Sequence, residues 1–210
     1  MIGELGSFIL VLASFCAVIS FIPIALGAAK QNQFWARLWK PAMLVTFFGF
    51  TTALLLLGYA FLTNDFSIAY VANHSNRSLP DFYKVSAIWG SHEGSMLLWI
   101  WTICAWSLCY GIVSRDDANF KSKVFAAILG IIGLLGLFLI FTSNPFARNL
   151  PFYPLDGKDL NPILQDIGMI FHPPLLFLGY AGLALVFCLG IAGLVKGKLL
   201  SQERSEEHTS

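Results

Sequence analysis

Asp166-Ile-Gly-Met-Ile-Phe-His172-Pro-Pro-Leu-Leu-Phe-Leu-Gly-Tyr180 is the stretch on which the reading of the fold turns. Up to His172 it still carries polar groups. From Pro173 to Val195 it is apolar and long enough to cross a bilayer as a helix. Proline is tolerated in the first turn of a helix, where its missing N–H has no partner to lose. The stretch therefore predicts a spanning helix over 173–195 that opens on the two prolines, with His172 at its mouth. The partial positive charge of a helix N-terminus disfavours imidazolium. A neutral imidazole at a membrane surface is a ready metal ligand. The plainer reading is that His172 marks a helix start and nothing more.

Working outward, the same pattern recurs. The chain has 210 residues, 57% hydrophobic and 12% charged, about half the charge of an ordinary soluble domain. This predicts an all-α, polytopic membrane helix bundle surrounded by membrane lipid. About five transmembrane helices are expected, near 3–29, 41–62, 96–113, 124–142 and 173–195. The first lacks a basic leader and reads as a retained span kinked at Pro23. Trp35 and Trp39 read as an interfacial belt. Gly130, Gly133 and Gly136 predict close helix packing in the fourth span. Lys30, Arg37, Lys40, Arg115, Lys121, Lys123, Lys196, Lys198 and Arg204 fall on one side, and Arg77, Lys84, Arg148 and Lys158 on the other. The excess of basic residues puts the first side in the cytoplasm and the N-terminus outside. A net charge of +1 gives no reason to expect nucleic acid as a partner. Cys16, Cys104, Cys109 and Cys188 form no C-x-x-C pair and read as small buried residues. Arg204-Ser-Glu-Glu-His-Thr-Ser210 is unrelated to what precedes it and reads as the translation of a sequencing adapter. It is taken as a non-native tail, His208 is set aside, and the native chain is expected to run on past about Glu203.

Three outward-facing constellations could carry chemistry. Trp89-Gly-Ser-His92-Glu93-Gly-Ser-Met96-Leu-Leu-Trp99 sets a histidine and a carboxylate at the outer end of the third span. A zinc-protease helix is excluded, because Met96 stands where the second histidine is required. His92 and Glu93 are expected to cap the helix, a carboxylate being favourable there. Direct ligation is the weaker alternative. Trp99, Ile103 and Trp106 share one helix face, which could hold a flat ring or simply anchor the helix. The segment Ser143–Pro162 is irregular because of its prolines. In it Arg148 suits a carboxylate partner, and Phe146, Phe152 and Tyr153 either offer apolar planes or pack on the bilayer surface. His74, in a polar run, reads as a solvated loop residue.

Three runs carry a family resemblance: Trp89–Trp99, Asn144–Arg148 with Asp159–Asp166, and Phe171–Tyr180. Over residues 1–203 the chain resembles the N-terminal transmembrane part of the CcmF/CcsA family of haem-handling proteins. The resemblance implies cytochrome c maturation. It points to a multi-pass haem lyase of the bacterial inner membrane whose functional loops face the periplasm. Such a protein receives haem from the chaperone CcmE and works with a CcmH-type subunit. It promotes attachment of haem to the C-x-x-C-H thiols of apocytochrome c. The cofactor implied is haem b, as substrate, with no metal site beyond its iron. By the same resemblance His172 is the first of two outward histidines that ligate this haem. Arg148, Trp89 and Trp99 are further candidates for contact with it. The family's tryptophan-rich segment, its second outward histidine and its membrane histidines have no counterpart here, so the chain alone is expected to be inactive. The alternatives are a non-catalytic scaffold or haem-transport subunit, or a close relative serving nitrite-reductase cytochrome assembly.

Overall fold

The computed structural model describes residues 1–196. The tail 204–210, with Lys198, Arg204 and His208, lies outside the described residues. Five helices are long and apolar enough to cross a membrane. They are α1 (Ile2–Ala29), α3 (Trp39–Leu62), α6 (His92–Val113), α7 (Ala118–Thr142) and α8 (Ile167–Lys196). A short α2 (Gln33–Arg37) leads into α3 on one side of the bundle. On the other lie α4 (Ala69–His74), α5 (Asp81–Ala87) and a 3-10 turn (Pro162–Leu164).

The four later spans all begin earlier than their apolar runs: residue 39 against 41, 92 against 96, 118 against 124, and 167 against 173. For α7 and α8 the reason is local: a polar side chain takes a free N–H group at the helix start, whereas α3 and α6 begin without a side-chain cap. Asp117 Oδ1 accepts from Phe120 N (2.7 Å), so α7 runs a polar turn before its apolar part. Asp166 Oδ1 accepts from Gly168 N (2.6 Å) and starts α8 at Ile167. The prolines therefore do not open α8. They sit inside it, and His172 is its sixth residue rather than its mouth.

α1 packs chiefly on α7 and α3, while α6 touches α3, α7 and α8. The glycines of α7 set the closest approach. A Cβ on Gly133 would stand 2.7 Å from Val18 Cγ2, and one on Gly136 would stand 2.4 Å from Ser14 Oγ. Trp39, the first residue of α3, is buried and stacked on Phe125 at 3.9 Å between ring centres. Trp101 Nε1 donates to Thr51 Oγ1 (2.9 Å) and ties α6 to α3. α8 lies at the flank. Only 17% of its apolar window is buried, against 50% for α7. Cys104 and Cys188 are buried, but Cys109 is exposed and Cys16 half-buried.

The outer segments fold together as a cap rather than as separate loops. Ile68 and Arg148 form an antiparallel bridge, with Ala69 N donating to Ala147 O (2.8 Å) and Asn149 N to Ser67 O (2.9 Å). Phe146 turns inward, fully buried, onto Gly6 of α1, where a Cβ would lie 2.3 Å from the ring. Phe152 and Tyr153 remain exposed. On the inner side Lys196 pairs with Asp117, joining the end of α8 to the start of α7.

Candidate functional site

The outer end of the α6–α8 pair is built around Tyr70. This phenol is buried, and its oxygen lies 3.0 and 3.1 Å from Ala87 O and Ile88 O, to which it donates. It accepts from Ser91 N (3.2 Å). Burial pushes the phenol well above its ordinary pKa, against the lowering effect of Ser91 N–H, so it stays a neutral hydroxyl. α6 can start this close only because residue 94 is glycine: a Cβ there would fall 1.6 Å from Ile88 O. Tyr70 thus pins the turn between α5 and α6, and Trp89 stands in that turn. Ser95 Oγ adds a bond to Trp89 O (2.8 Å).

From this fixed turn Trp89 Nε1 donates to Met169 O of α8 (2.9 Å). In a regular helix Met169 O would accept from the N–H of residue 173. Residue 173 is proline and has none. The indole supplies the donor that the helix lacks. Tyr83 Oη adds a second strap, donating to Gln165 O (3.1 Å). Farther down, Trp106 Nε1 donates to Leu178 O (2.9 Å).

His172 is exposed, and its imidazole has no hydrogen bond among the described residues. The packed stripe of α8 is Ala181, Leu185, Cys188 and Ala192. His172 precedes Ala181 by nine positions, two and a half turns at 3.6 residues per turn. It therefore stands on the face turned away from α6 and α7. Phe171, Leu175 and Leu176 around it are exposed as well.

The other candidates are placed as follows. His92 is the first residue of α6, with its Nδ1 3.3 Å from Ser91 Oγ and 3.4 Å from Glu93 Oε2. Glu93 lies in the first turn with its side chain mostly buried, and its Oε2 has no hydrogen-bond partner among the described residues. Trp99 Nε1 is also buried without a partner among them. Trp106, on the same helix face, is spent on α8. Arg148 pairs with Glu4 of α1, in the wall of a cavity of about 340 Å³ that also takes in Asp65, Phe66, Ser67, Arg77 and Tyr153. It belongs to the cap over α1, whereas His172 belongs to the flank. His74 is not simply solvated: its Nδ1 lies 2.9 Å from Tyr70 O.

Sequence reasoning missed Tyr70, Tyr83 and Met169. For Met169 there was a signal. A proline inside a helix leaves the carbonyl four residues back without its donor, and a nearby indole is a natural replacement. For Tyr70 there was none.

The family described as cytochrome C assembly protein matches residues 89–210 of this chain. Among relatives, the cytochrome c-type biogenesis protein CcmF of Haemophilus influenzae is 44% identical over 203 residues, covering 95% of this chain and 31% of that protein. CcmF of Escherichia coli K12 is 41% identical over 206 residues, with the same coverage. The cytochrome c-type biogenesis protein NrfE of Haemophilus influenzae is 40% identical over 196 residues, covering 93% of this chain and 31% of that protein. The chain thus spans about a third of the length of the relatives it matches. A solved structure titled cytochrome c heme lyase CcmF superposes with a TM-score of 0.79 at 23% identity, covering 93% of this chain and 31% of that one, which establishes a shared fold. With the family match running through α6, its tryptophans and the histidine-bearing end of α8, this chain belongs to the cytochrome c assembly protein family.

Proposed function

We propose that this chain acts in cytochrome c maturation as part of a haem lyase, and that His172 is an axial ligand of the haem being attached. The observation that carries the reading is the placement of His172. It is an unpartnered, exposed imidazole at the outer end of α8, on the face turned from the bundle, among exposed Phe171, Leu175 and Leu176. An imidazole nitrogen with apolar neighbours suits a flat, mostly apolar iron macrocycle. A six-coordinate haem needs a second axial ligand, which the remainder of a full-length protein would supply.

The haem is substrate here, b-type before attachment, delivered by a chaperone of the CcmE kind. Its iron and vinyl groups carry the reactivity, and each thiol of the C-x-x-C-H motif adds across a vinyl double bond to form a thioether. The protein's share is positioning. His172 fixes the iron, and so the plane of the ring, while a CcmH-type subunit presents apocytochrome c. The ion pair with Glu4 supports a different role for Arg148, as the residue that fastens the cap to α1. The distribution of basic residues supports an orientation with the cap on the outer side, and the bacterial relatives support an inner membrane location, which puts the cap in the periplasm.

The test is maturation by the full-length protein carrying His172→Ala. Yield of covalent cytochrome c is expected to fall at least about tenfold, the low end of the loss when even an outer-shell partner of a metal ligand is removed, and to recover partly with added imidazole. An unchanged yield would overturn the reading and leave a scaffold or transport subunit. The similarity to NrfE favours a second reading, in which the cytochrome served belongs to nitrite reduction. The identity of the apocytochrome that accumulates when the protein is lost separates the two.

A further inference from the structure

Two consecutive prolines, Pro173 and Pro174, sit directly after His172 inside α8. They remove the intrahelical bonds to Met169 O and Ile170 O, so the turn carrying the histidine is weakly tied to the rest of its own helix. That turn is tied instead to other elements. Trp89 Nε1 donates to Met169 O (2.9 Å), and Tyr83 Oη donates to Gln165 O (3.1 Å). The turn holding Trp89 is itself locked by the buried Tyr70 hydroxyl. Met169 is three residues, almost one helical turn, before His172. A bond at Met169 O therefore sets both the height and the rotation of the segment that aims the imidazole.

We propose that Trp89 is a positioning residue for substrate haem: it acts through the Met169 carbonyl, not through its ring against the porphyrin, to hold His172 in register. This rests on the reading of His172 as a haem ligand. The prolines detach the ligand-bearing turn from the spanning helix, and the indole reattaches it to the folded cap.

Trp89→Phe in the full-length protein keeps an aromatic ring and deletes the donor. Amide hydrogen exchange over residues 167–172 is expected to rise about tenfold, the scale of a partly buried carbonyl losing its only donor. The axial-ligand spectrum of chaperone-delivered haem is expected to shift, and haem retention to fall about tenfold. In a Pro173→Ala background residue 173 brings its own N–H to Met169 O. There the effect of Trp89→Phe is expected to shrink below about threefold. Unchanged exchange overturns the proposal. So does an effect of equal size in both backgrounds, because the ring would then be acting by itself. Raised exchange with an unaltered haem spectrum has two meanings, told apart by His172→Ala. If that variant changes the spectrum, the ligand reading stands and the Trp89 proposal falls. If it does not, the ligand reading falls and takes the proposal with it.

Discussion

α7 and α8 are both apolar spanning helices, and they are held in opposite ways. α7 joins α1 through side chains that are missing: Gly133 and Gly136 let the backbones close on Val18 and Ser14. α8 packs only a narrow stripe, Ala181, Leu185, Cys188 and Ala192, on α6 and α7, is tied further by the indoles of Trp89 and Trp106 that reach its backbone carbonyls, and leaves most of its surface uncovered. Close glycine packing makes a tight seam, because an added Cβ would meet Val18 or Ser14 at well under van der Waals distance. Point attachment by hydrogen bonds fixes a helix in place while keeping one face free. The face left free is the one that carries His172.

The largest effect should come from breaking the seam. Gly133→Leu drives a side chain into Val18, whose backbone nitrogen would already lie 3.2 Å from the first added carbon. We expect a loss of about 3 kcal/mol or more, read as failure to recover folded protein or a sharp fall in Tm in detergent. Trp106→Phe removes only an indole bond to Leu178 O. It should cost about 1 kcal/mol or less, since an exposed-edge bond between helices in a membrane is worth little. A Tm drop as large as that of Gly133→Leu would mean that α8 is packed like α7 after all.

The smallest effect is at the inner end, where Asp117 pairs with Lys196. The lysine bond, then the Phe120 N–H, lower the carboxyl below its ordinary value of 3.8. A lowered carboxyl stabilises the fold above its ordinary pKa, and that contribution is lost as pH falls through the lowered value. Asp117→Asn keeps a cap-forming oxygen and deletes the charge. Its stability should trail the parent by well under about 1 kcal/mol at neutral pH, the pair being exposed. The two should converge as the pH falls below the ordinary carboxylate range. A gap that persists in acid would assign the effect to capping instead.

The sequence made the spans legible because a bilayer requires long apolar helices, and it made the α7 seam legible because glycine has few other reasons to recur there. Helix starts were misread for a physical reason. Hydropathy registers the part inside the membrane, while Asp117 and Asp166 begin their helices in water. That error placed His172 at a helix mouth, whereas it lies inside the helix. It also hid the consequence of Pro173, a freed carbonyl needing a donor. The stack of Trp39 on Phe125 was not legible, because position along the chain does not reveal a partner on another helix. The pairing of Ile68 with Arg148 joins residues 80 apart in sequence and leaves no periodic trace. The family's motif runs pointed to Trp89 and His172, but not to the bond at Met169 that joins their two segments.

The most direct test is the low-temperature electron paramagnetic resonance and absorption spectrum of ferric haem on the full-length protein, for the parent and for His172→Ala. The account predicts a low-spin signal from two axial nitrogen ligands in the parent, replaced by a high-spin five-coordinate signal when His172 is removed. An unchanged low-spin spectrum in His172→Ala would contradict it, because the iron would then be held by other residues.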